Sequence, residues 1–191
     1  MNSRPDPAYS VRDISLIALL AAGGMVFKAA VGPAALAFCR QVNLPGGVVM
    51  GGVYMMWVVL GRAFTHKPFS ATLVGAVQAG LGWVMGTIGP TGPTMLLSFV
   101  LPGLAADATV RAAGGGSRAG AGAGAFTLPV ALAAGAAANA IGVGMRSYFF
   151  LHLPLPAWLG SVAIGAISGA TGGAMAWVVQ RKVRAALPGT L

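Results

Sequence analysis

The chain has 191 residues, of which 57% are hydrophobic and 8% are charged, and its formal net charge is +9. Only three carboxylates are present, Asp6, Asp13 and Asp107, and most of the twelve Lys and Arg residues lie beside the ends of long apolar segments. A charge at the centre of a bilayer costs at least about 2.5 kcal/mol, so this distribution is typical of a membrane protein. The composition excludes a soluble core, and the scattered basic residues argue against nucleic-acid binding.

Apolar segments long enough to cross a bilayer of about 30 Å predict an all-α protein, a bundle of six transmembrane helices. The predicted spans are residues 14–32, 45–61, 69–88, 93–110, 126–148 and 157–179. Pro45 fits the first turn of the second span, Pro68 precedes the third, and residues 89–93 (GPTGP) form a turn. Pro102 lies inside the fourth span and is expected to kink or interrupt it.

A single transmembrane domain is predicted over residues 1–191, with residues 1–13 as a cytoplasmic N-terminal segment. Residues 112–125 (AAGGGSRAGAGAGA) are too rich in glycine and alanine to hold a helix alone, which predicts a flexible cytoplasmic loop. If both termini are cytoplasmic, nine of the twelve Lys and Arg residues lie inside, as the positive-inside rule requires. We expect the plasma membrane of a prokaryote as the location.

Three basic residues do not follow this rule. Lys28 is predicted near the outer end of the first span, Arg40 in the loop that follows, and Arg146 near the outer end of the fifth span. Each of them alone is equally well explained by an extended side chain that reaches the lipid headgroups. Since no carboxylate is predicted on that side, the three together favour a binding site for an anion.

Polar and aromatic residues near these cations complete the predicted site. Gln78 and Asn139 carry amides within spans, and each amide needs a partner in another helix or in a bound molecule. Trp158 and Trp177 are interpreted as interfacial anchors. The pattern predicts an outward-facing pocket for a molecule with a carboxylate or phosphate group. The predicted substrate-binding residues are Lys28, Arg40, Asn43, Tyr54, Gln78, Trp83, Thr87, Asn139, Arg146 and Tyr148.

The sequence offers no catalytic machinery. It has no phosphate-binding loop of the Gly-x-x-x-x-Gly-Lys-Ser/Thr type, and its two histidines, His66 and His152, are predicted on opposite sides of the membrane. Cys39 is the only cysteine, and no pair of carboxylates is available for acid and base catalysis. We therefore predict that the chain is not an enzyme and holds neither a metal nor a cofactor, so that any ATP is used by partner subunits.

Small residues recur on two of the predicted spans. Ala18 and Ala22 form a small-residue face on the first span, where a helix of a partner subunit could approach closely. Glycines recur along the last span at near-helical intervals, which predicts packing within the bundle. These glycines are Gly160, Gly165, Gly169 and Gly173.

With these features the chain resembles the S components of energy-coupling factor (ECF) vitamin transporters. Such proteins are bundles of about six helices with an outward pocket and an Ala-x-x-x-Ala face on the first helix, which Ala18 and Ala22 match. The nearest group is the one for thiamin or hydroxymethylpyrimidine, on the basis of Lys67 and Pro68, residues 89–93 and residues 101–107 (LPGLAAD). That group is expected to carry carboxylates on its third helix, and this chain has none there.

The resemblance implies a substrate-capture subunit that works with a transmembrane coupling subunit and two ATPase subunits. Since the third span lacks carboxylates, the residues favour a vitamin or cofactor with acidic groups, and biotin-like, corrinoid and haem-like ligands stay open. One alternative is a non-transporting membrane scaffold whose basic residues bind lipid headgroups. Another is a secondary carrier that needs no partner.

Overall fold

Six α-helices form the described part of the chain, which comprises residues 9–41, 48–86, 96–114 and 126–186 of a computed structural model. They are α1 (Val11–Gln41), α2 (Gly51–Thr65), α3 (Ser70–Val84), α4 (Leu97–Ala112), α5 (Leu128–Phe149) and α6 (Leu155–Ala186). These ranges contain no strand, which confirms the all-α class. By length and composition α1, α5 and α6 can cross a membrane, whereas α3 is apolar but shorter. The count of six spans and the cytoplasmic termini stay predictions.

Helix α1 begins with a reciprocal pair of capping hydrogen bonds and is longer than predicted. The Ser10 N–H donates to Asp13 Oδ2 at 3.0 Å, and the Asp13 N–H donates to Ser10 Oγ at 3.2 Å. The helix then passes through Pro33 and ends at Gln41, because membrane helices tolerate the loss of the one backbone hydrogen bond that a proline removes. Arg40 therefore lies in the last turn of α1, and its predicted place in a loop is wrong.

The other helices differ from the predicted spans mainly at their ends. Pro102 is buried inside α4 without interrupting it. Helix α6 begins at Leu155, so that Pro156 occupies its first turn, where a backbone N–H has no helical partner. The predicted turn at residues 89–93, Pro45 and most of the loop at residues 112–125 lie outside the described residues. So do residues 1–8 of the predicted cytoplasmic segment.

One end of the bundle is held together by a buried carboxylate, and we call it the Asp107 end. Asp107 on α4 accepts hydrogen bonds from the Thr72 backbone N–H at 2.8 Å and the Thr72 hydroxyl at 2.7 Å. It thereby caps α3, whose own N-cap residue, Phe69, has no side chain that can do so. Arg62 Nε lies 3.9 Å from Asp107 Oδ1. This ion pair accompanies the continuation of α2 through Arg62, beyond the predicted end of the second span at residue 61.

Glycines on α6 allow close contact with both α2 and α5. A Cβ atom built on Gly172 would overlap the backbone of Gly52, and one built on Gly173 would overlap that of Ala131. The Gly52 N–H also donates to Ser168 Oγ at 3.1 Å. Of the four glycines predicted to pack within the bundle, Gly165, Gly169 and Gly173 do so, whereas Gly160 has open space around it.

A second set of contacts at the Asp107 end joins α6 to the end of α2. Gln180 Nε2 donates to the Ala63 carbonyl at 3.1 Å, and Arg184 Nη2 contacts His66 Nε2. Partial burial of the imidazole, together with the charges of Arg184 and Arg62, lowers the pKa of His66 below its usual 6.5. A neutral His66 accepts a hydrogen bond from Arg184, whereas a protonated one repels it.

We expect the thermal stability of the detergent-solubilised protein to fall as the pH decreases from about 7.5 to about 5.5. The pKa of His66 is lower in the folded state, so the unfolded state binds more protons as the pH falls below 6.5. Unfolding temperatures of the His66→Gln variant should depend less on pH than those of the wild type. His152→Gln, in the α5–α6 connection, is the control. An identical decrease for wild type and His66→Gln would contradict this role.

Candidate functional site

A cavity of about 490 Å³ lies at the other end of the bundle, lined by residues of α1 to α5. Its volume falls within the range of small-molecule sites. Most of its walls are apolar, and a few polar and charged groups from separate helices interrupt them. Five of the predicted substrate-binding residues line it: Lys28, Tyr54, Gln78, Asn139 and Arg146.

Two positive charges reach this cavity from different helices. Lys28 on α1 places its Nζ atom 4.3 Å from the centre of the Phe99 ring, and Arg146 lies in the last turn of α5. None of the described lining residues is a carboxylate. Asp107 lies at the opposite end of the bundle, and Asp13 lies at the start of α1. Hence the described surroundings of the cavity provide no acidic partner for Lys28 or Arg146.

Asn139 fixes the geometry of the cavity where α5 meets α2 and α6. Its side chain is 2% exposed, and Nδ2 donates to the Gly165 carbonyl of α6 at 2.7 Å. A Cβ atom on Gly51 would lie 2.8 Å from Asn139 Cγ, so only glycine at position 51 leaves room for the amide. Because the amide nitrogen is engaged by α6, the oxygen beside Gly51 is the group left to accept a hydrogen bond.

Gln78 enters the cavity from α3 and is also buried. A Cβ atom on Gly24 of α1 would overlap the Gln78 amide, and it would lie 3.1 Å from Cγ of Trp57 on α2. The neighbouring Gly23 is equally close to the Trp57 ring. The two glycines thus let α1 approach both neighbours and bring Gln78 to the same cavity as Lys28.

Aromatic rings and a buried hydroxyl group complete the lining of the cavity. Tyr54 meets Phe27 edge to face, with ring centres 6.2 Å apart. Ser98 Oγ is buried and has no hydrogen-bond partner among the described residues. Ser98, Phe99 and Gly51 also line the cavity and were not predicted from the sequence. Nothing in the sequence distinguishes these three residues, because isolated serine, phenylalanine and glycine residues are common in membrane helices.

Three other predicted residues do not line the cavity. Arg40 is exposed in the last turn of α1, because the helix continues past the predicted loop. Trp83 is 54% exposed on α3, and Tyr148 is 60% exposed on α5, where it packs edge to face on Phe149. The structure therefore does not bring them together with Lys28 and Arg146. Asn43 and Thr87 lie outside the described residues.

The small-residue face of α1 is free of contacts that would cover it within the described bundle. Helix α1 packs against α2 and α3, and both Ala18 and Ala22 are exposed.

Trp158, interpreted as an interfacial anchor, donates its indole N–H to the Gly144 carbonyl at 2.8 Å and so joins α6 to α5. Among the described residues, no group of three or more His, Cys, Asp or Glu is placed to hold a metal ion.

Residues 12–141 match the protein family described as the ABC-type cobalt transport system, permease component. This match covers more than half of the chain. The chain belongs to this family. No match is found among the curated proteins. As a member of the cobalt transport permease family, the chain is a multi-pass membrane transport protein and not an enzyme, as the sequence predicts.

The fold of this permease component is shared with a solved structure described as an S-component of an ECF transporter. The two chains superpose with a TM-score of 0.76 at 18% sequence identity, over 94% of this chain and 87% of the other. The resemblance to S components is thus confirmed for the fold. The thiamin or hydroxymethylpyrimidine group stays a prediction.

Proposed function

We propose that the chain is the substrate-binding S component of an ATP-driven micronutrient importer, and that it binds an anionic ligand in the cavity between α1 and α5. The observation that carries this proposal is the pair of cations, Lys28 and Arg146, in a cavity without a described carboxylate. Charged hydrogen-bond donors without a protein acceptor are suited to a carboxylate or phosphate group of a ligand. The shared fold supports the role of a capture subunit.

The other polar groups of the cavity extend this ligand chemistry. The oxygen of Asn139 is left as an acceptor, and the Gln78 amide and the Ser98 hydroxyl can each donate or accept. Tyr54 and Phe99 supply flat apolar surface. A ligand that fits has an acidic group near Lys28 and Arg146 and an N–H donor near Asn139, joined by an apolar or aromatic body.

The volume and the positive charge of the cavity restrict the candidate ligands further. A cavity of about 490 Å³ suits a molecule as small as biotin better than a haem or a corrinoid. The family description names cobalt transport, but two cations oppose the entry of a bare divalent ion by Coulomb repulsion. The same repulsion disfavours the thiamin cation, whereas the neutral hydroxymethylpyrimidine is compatible with the amides.

Within the proposed importer the chain sits in the plasma membrane of a prokaryote with its cavity facing outward. The exposed Ala18 and Ala22 face binds a transmembrane coupling subunit, on which two ATPase subunits act. The chain would then bind and move its ligand without altering it.

Ligand identification is the direct test of the cavity. The full chain, purified in neutral detergent from cells grown in rich medium, is analysed by mass spectrometry for retained small molecules. Biotin, thiamin and hydroxymethylpyrimidine are then titrated as anionic, cationic and neutral probes. We expect an acidic or neutral molecule at one per chain and no binding of thiamin. Saturable binding of thiamin alone would contradict the anionic site, and retention of phospholipid only would favour the scaffold.

If the coupling subunit docks on the face formed by Ala18 and Ala22, a change on this face should reduce uptake of the ligand without reducing its binding. Replacing Ala18 with tryptophan adds a bulky side chain to an exposed face without touching the cavity. We expect ligand binding within about twofold of the wild type, because no binding group changes, but uptake into cells reduced at least about tenfold. Ala163→Trp, at an exposed alanine of α6, is the matched control and should retain uptake. Equal uptake by both variants would contradict docking at α1.

A further inference from the structure

A second cavity, of about 400 Å³, lies at the Asp107 end, between the start of α5 and the last turns of α6. The function proposed above makes no use of it. Its lining combines apolar side chains with an amide and two guanidinium groups. The lining residues are Phe126, Thr127, Leu128, Trp177, Gln180, Arg181 and Arg184.

Each arginine of this cavity contacts a neighbouring side chain, although Arg181 is exposed and only Arg184 is partly buried. The guanidinium carbon of Arg181 lies 4.7 Å from the centre of the Trp177 ring, and Arg184 is oriented by its contact with His66. Arg184 Nε is buried and has no hydrogen-bond partner among the described residues. None of the lining residues in the described part of the chain is acidic. A fixed and buried N–H donor without an acceptor indicates a place for an anionic oxygen.

The start of α5 adds partial positive charge to the same cavity. Its N-cap residue, Thr127, has extended backbone angles and makes no side-chain capping hydrogen bond, and the first turn holds no acidic residue. The first backbone N–H groups of a helix have no partners within the helix and attract anions. Pro129, at the second position of α5, has no N–H, so the donors of this first turn are those of Leu128 and Val130. Helix α5 has 22 residues, so its dipole is fully developed.

The position of this cavity along the bundle matches a membrane surface. Leu128 borders it at the start of α5, and Arg146 borders the first cavity eighteen residues later. At a rise of about 1.5 Å per residue, Leu128 and Arg146 lie about 27 Å apart along the axis of α5. This distance is close to the thickness of the hydrocarbon core. Trp177 and Phe126 beside the arginines suit the boundary between headgroups and acyl chains.

We propose that this second cavity binds the headgroup phosphate of an anionic phospholipid. The phosphate would lie between Arg181, Arg184 and the first turn of α5, and the glycerol and upper acyl chains would lie against Phe126 and Trp177. Basic pockets between transmembrane helices are suited to such lipids, because each cation near the surface strengthens the attraction to anionic headgroups. The site is independent of the ligand in the first cavity.

The test titrates the full chain, in a neutral detergent, with dihexanoyl phosphatidylglycerol, dihexanoyl phosphatidylcholine and inorganic phosphate in separate experiments. We expect saturable binding of phosphatidylglycerol, at least about tenfold tighter than that of the other two. In the Arg181→Gln, Arg184→Gln double variant the affinity should fall about fivefold for each arginine removed. Arg12→Gln, Arg111→Gln is the control with the same net charge, since both residues are exposed and belong to α1 and α4, helices that do not contact α6 within the described residues.

Two results would overturn the proposal. An equal loss of affinity in the control pair would mean that the lipid responds only to net charge. Inorganic phosphate that binds as tightly as phosphatidylglycerol would mean a site for free phosphate. Arg181→Gln alone keeps the contact between Arg184 and His66, so it tests the site if the double variant does not fold.

Discussion

Replacing both cavity cations, in a Lys28→Met, Arg146→Gln variant, should reduce affinity for the retained ligand at least about a hundredfold, since each charge-assisted hydrogen bond contributes about 1.5–3 kcal/mol. Both side chains line the same cavity, and no described carboxylate there can take over their role. The measurement is the amount of retained small molecule per chain, by mass spectrometry, followed by titration with that molecule. Each single variant should lower the affinity constant to about a tenth to a hundredth of its original value by the same reasoning.

Arg40→Gln is the matched control, because Arg40 is exposed in the last turn of α1 and does not line the cavity. It removes one positive charge from the same end of the bundle and should leave binding within about twofold, since exposed charges act weakly. If Arg40→Gln reduced binding as much as Arg146→Gln, the effect would come from the overall positive electrostatic potential at this end of the bundle. Unchanged binding in the double variant would mean that Lys28 and Arg146 serve the surrounding lipid.

The second large effect concerns the folding of the bundle. In a Gly172→Ala variant the new Cβ atom would overlap the backbone of Gly52, at 2.5 Å from its carbonyl carbon. Since both partners are helix backbones, α2 and α6 must move apart, and we expect a loss of about 1–3 kcal/mol of stability. Gly173→Ala should behave similarly against α5. Thermal unfolding in detergent measures both.

Gly160 offers the control on the same helix, because nothing lies within 4 Å of a Cβ atom placed there. Gly160→Ala should leave stability unchanged or raise it by up to about 1 kcal/mol, because alanine is a better helix former. If Gly172→Ala and Gly160→Ala had the same unfolding temperature, close contact between α2 and α6 would not be needed for stability.

Basic residues that look alike in the sequence line two different cavities. Arg146 lines the first cavity, and Arg184 lines the second at the other end of the bundle. Loss of the ligand on substitution of Arg146, with phosphatidylglycerol binding intact, would show that the sites are independent. Substitution of Arg181 is expected to weaken the binding of phosphatidylglycerol and to leave the ligand of the first cavity bound.

Composition alone determined the class of this protein. With so few charges and such long apolar segments, only helices can satisfy the backbone in a membrane, and the spacing of Ala18 and Ala22 is enough to place both on one small-residue face. The helix ends were predicted less well. Pro33 does not end α1, since a membrane helix tolerates an internal proline, and Arg62 lies inside α2, where it pairs with Asp107.

The tertiary structure decided which of the predicted residues line the cavity. Lys28, Gln78 and Asn139 come from three helices, and nothing in their sequence spacing shows that glycines such as Gly24 and Gly51 let these helices approach around one cavity. Trp83 and Tyr148 looked equally suitable but lie on exposed faces. Hydropathy shows whether a segment prefers lipid, but which side of each helix meets a neighbour depends on backbone-to-backbone contacts between residues far apart in the chain.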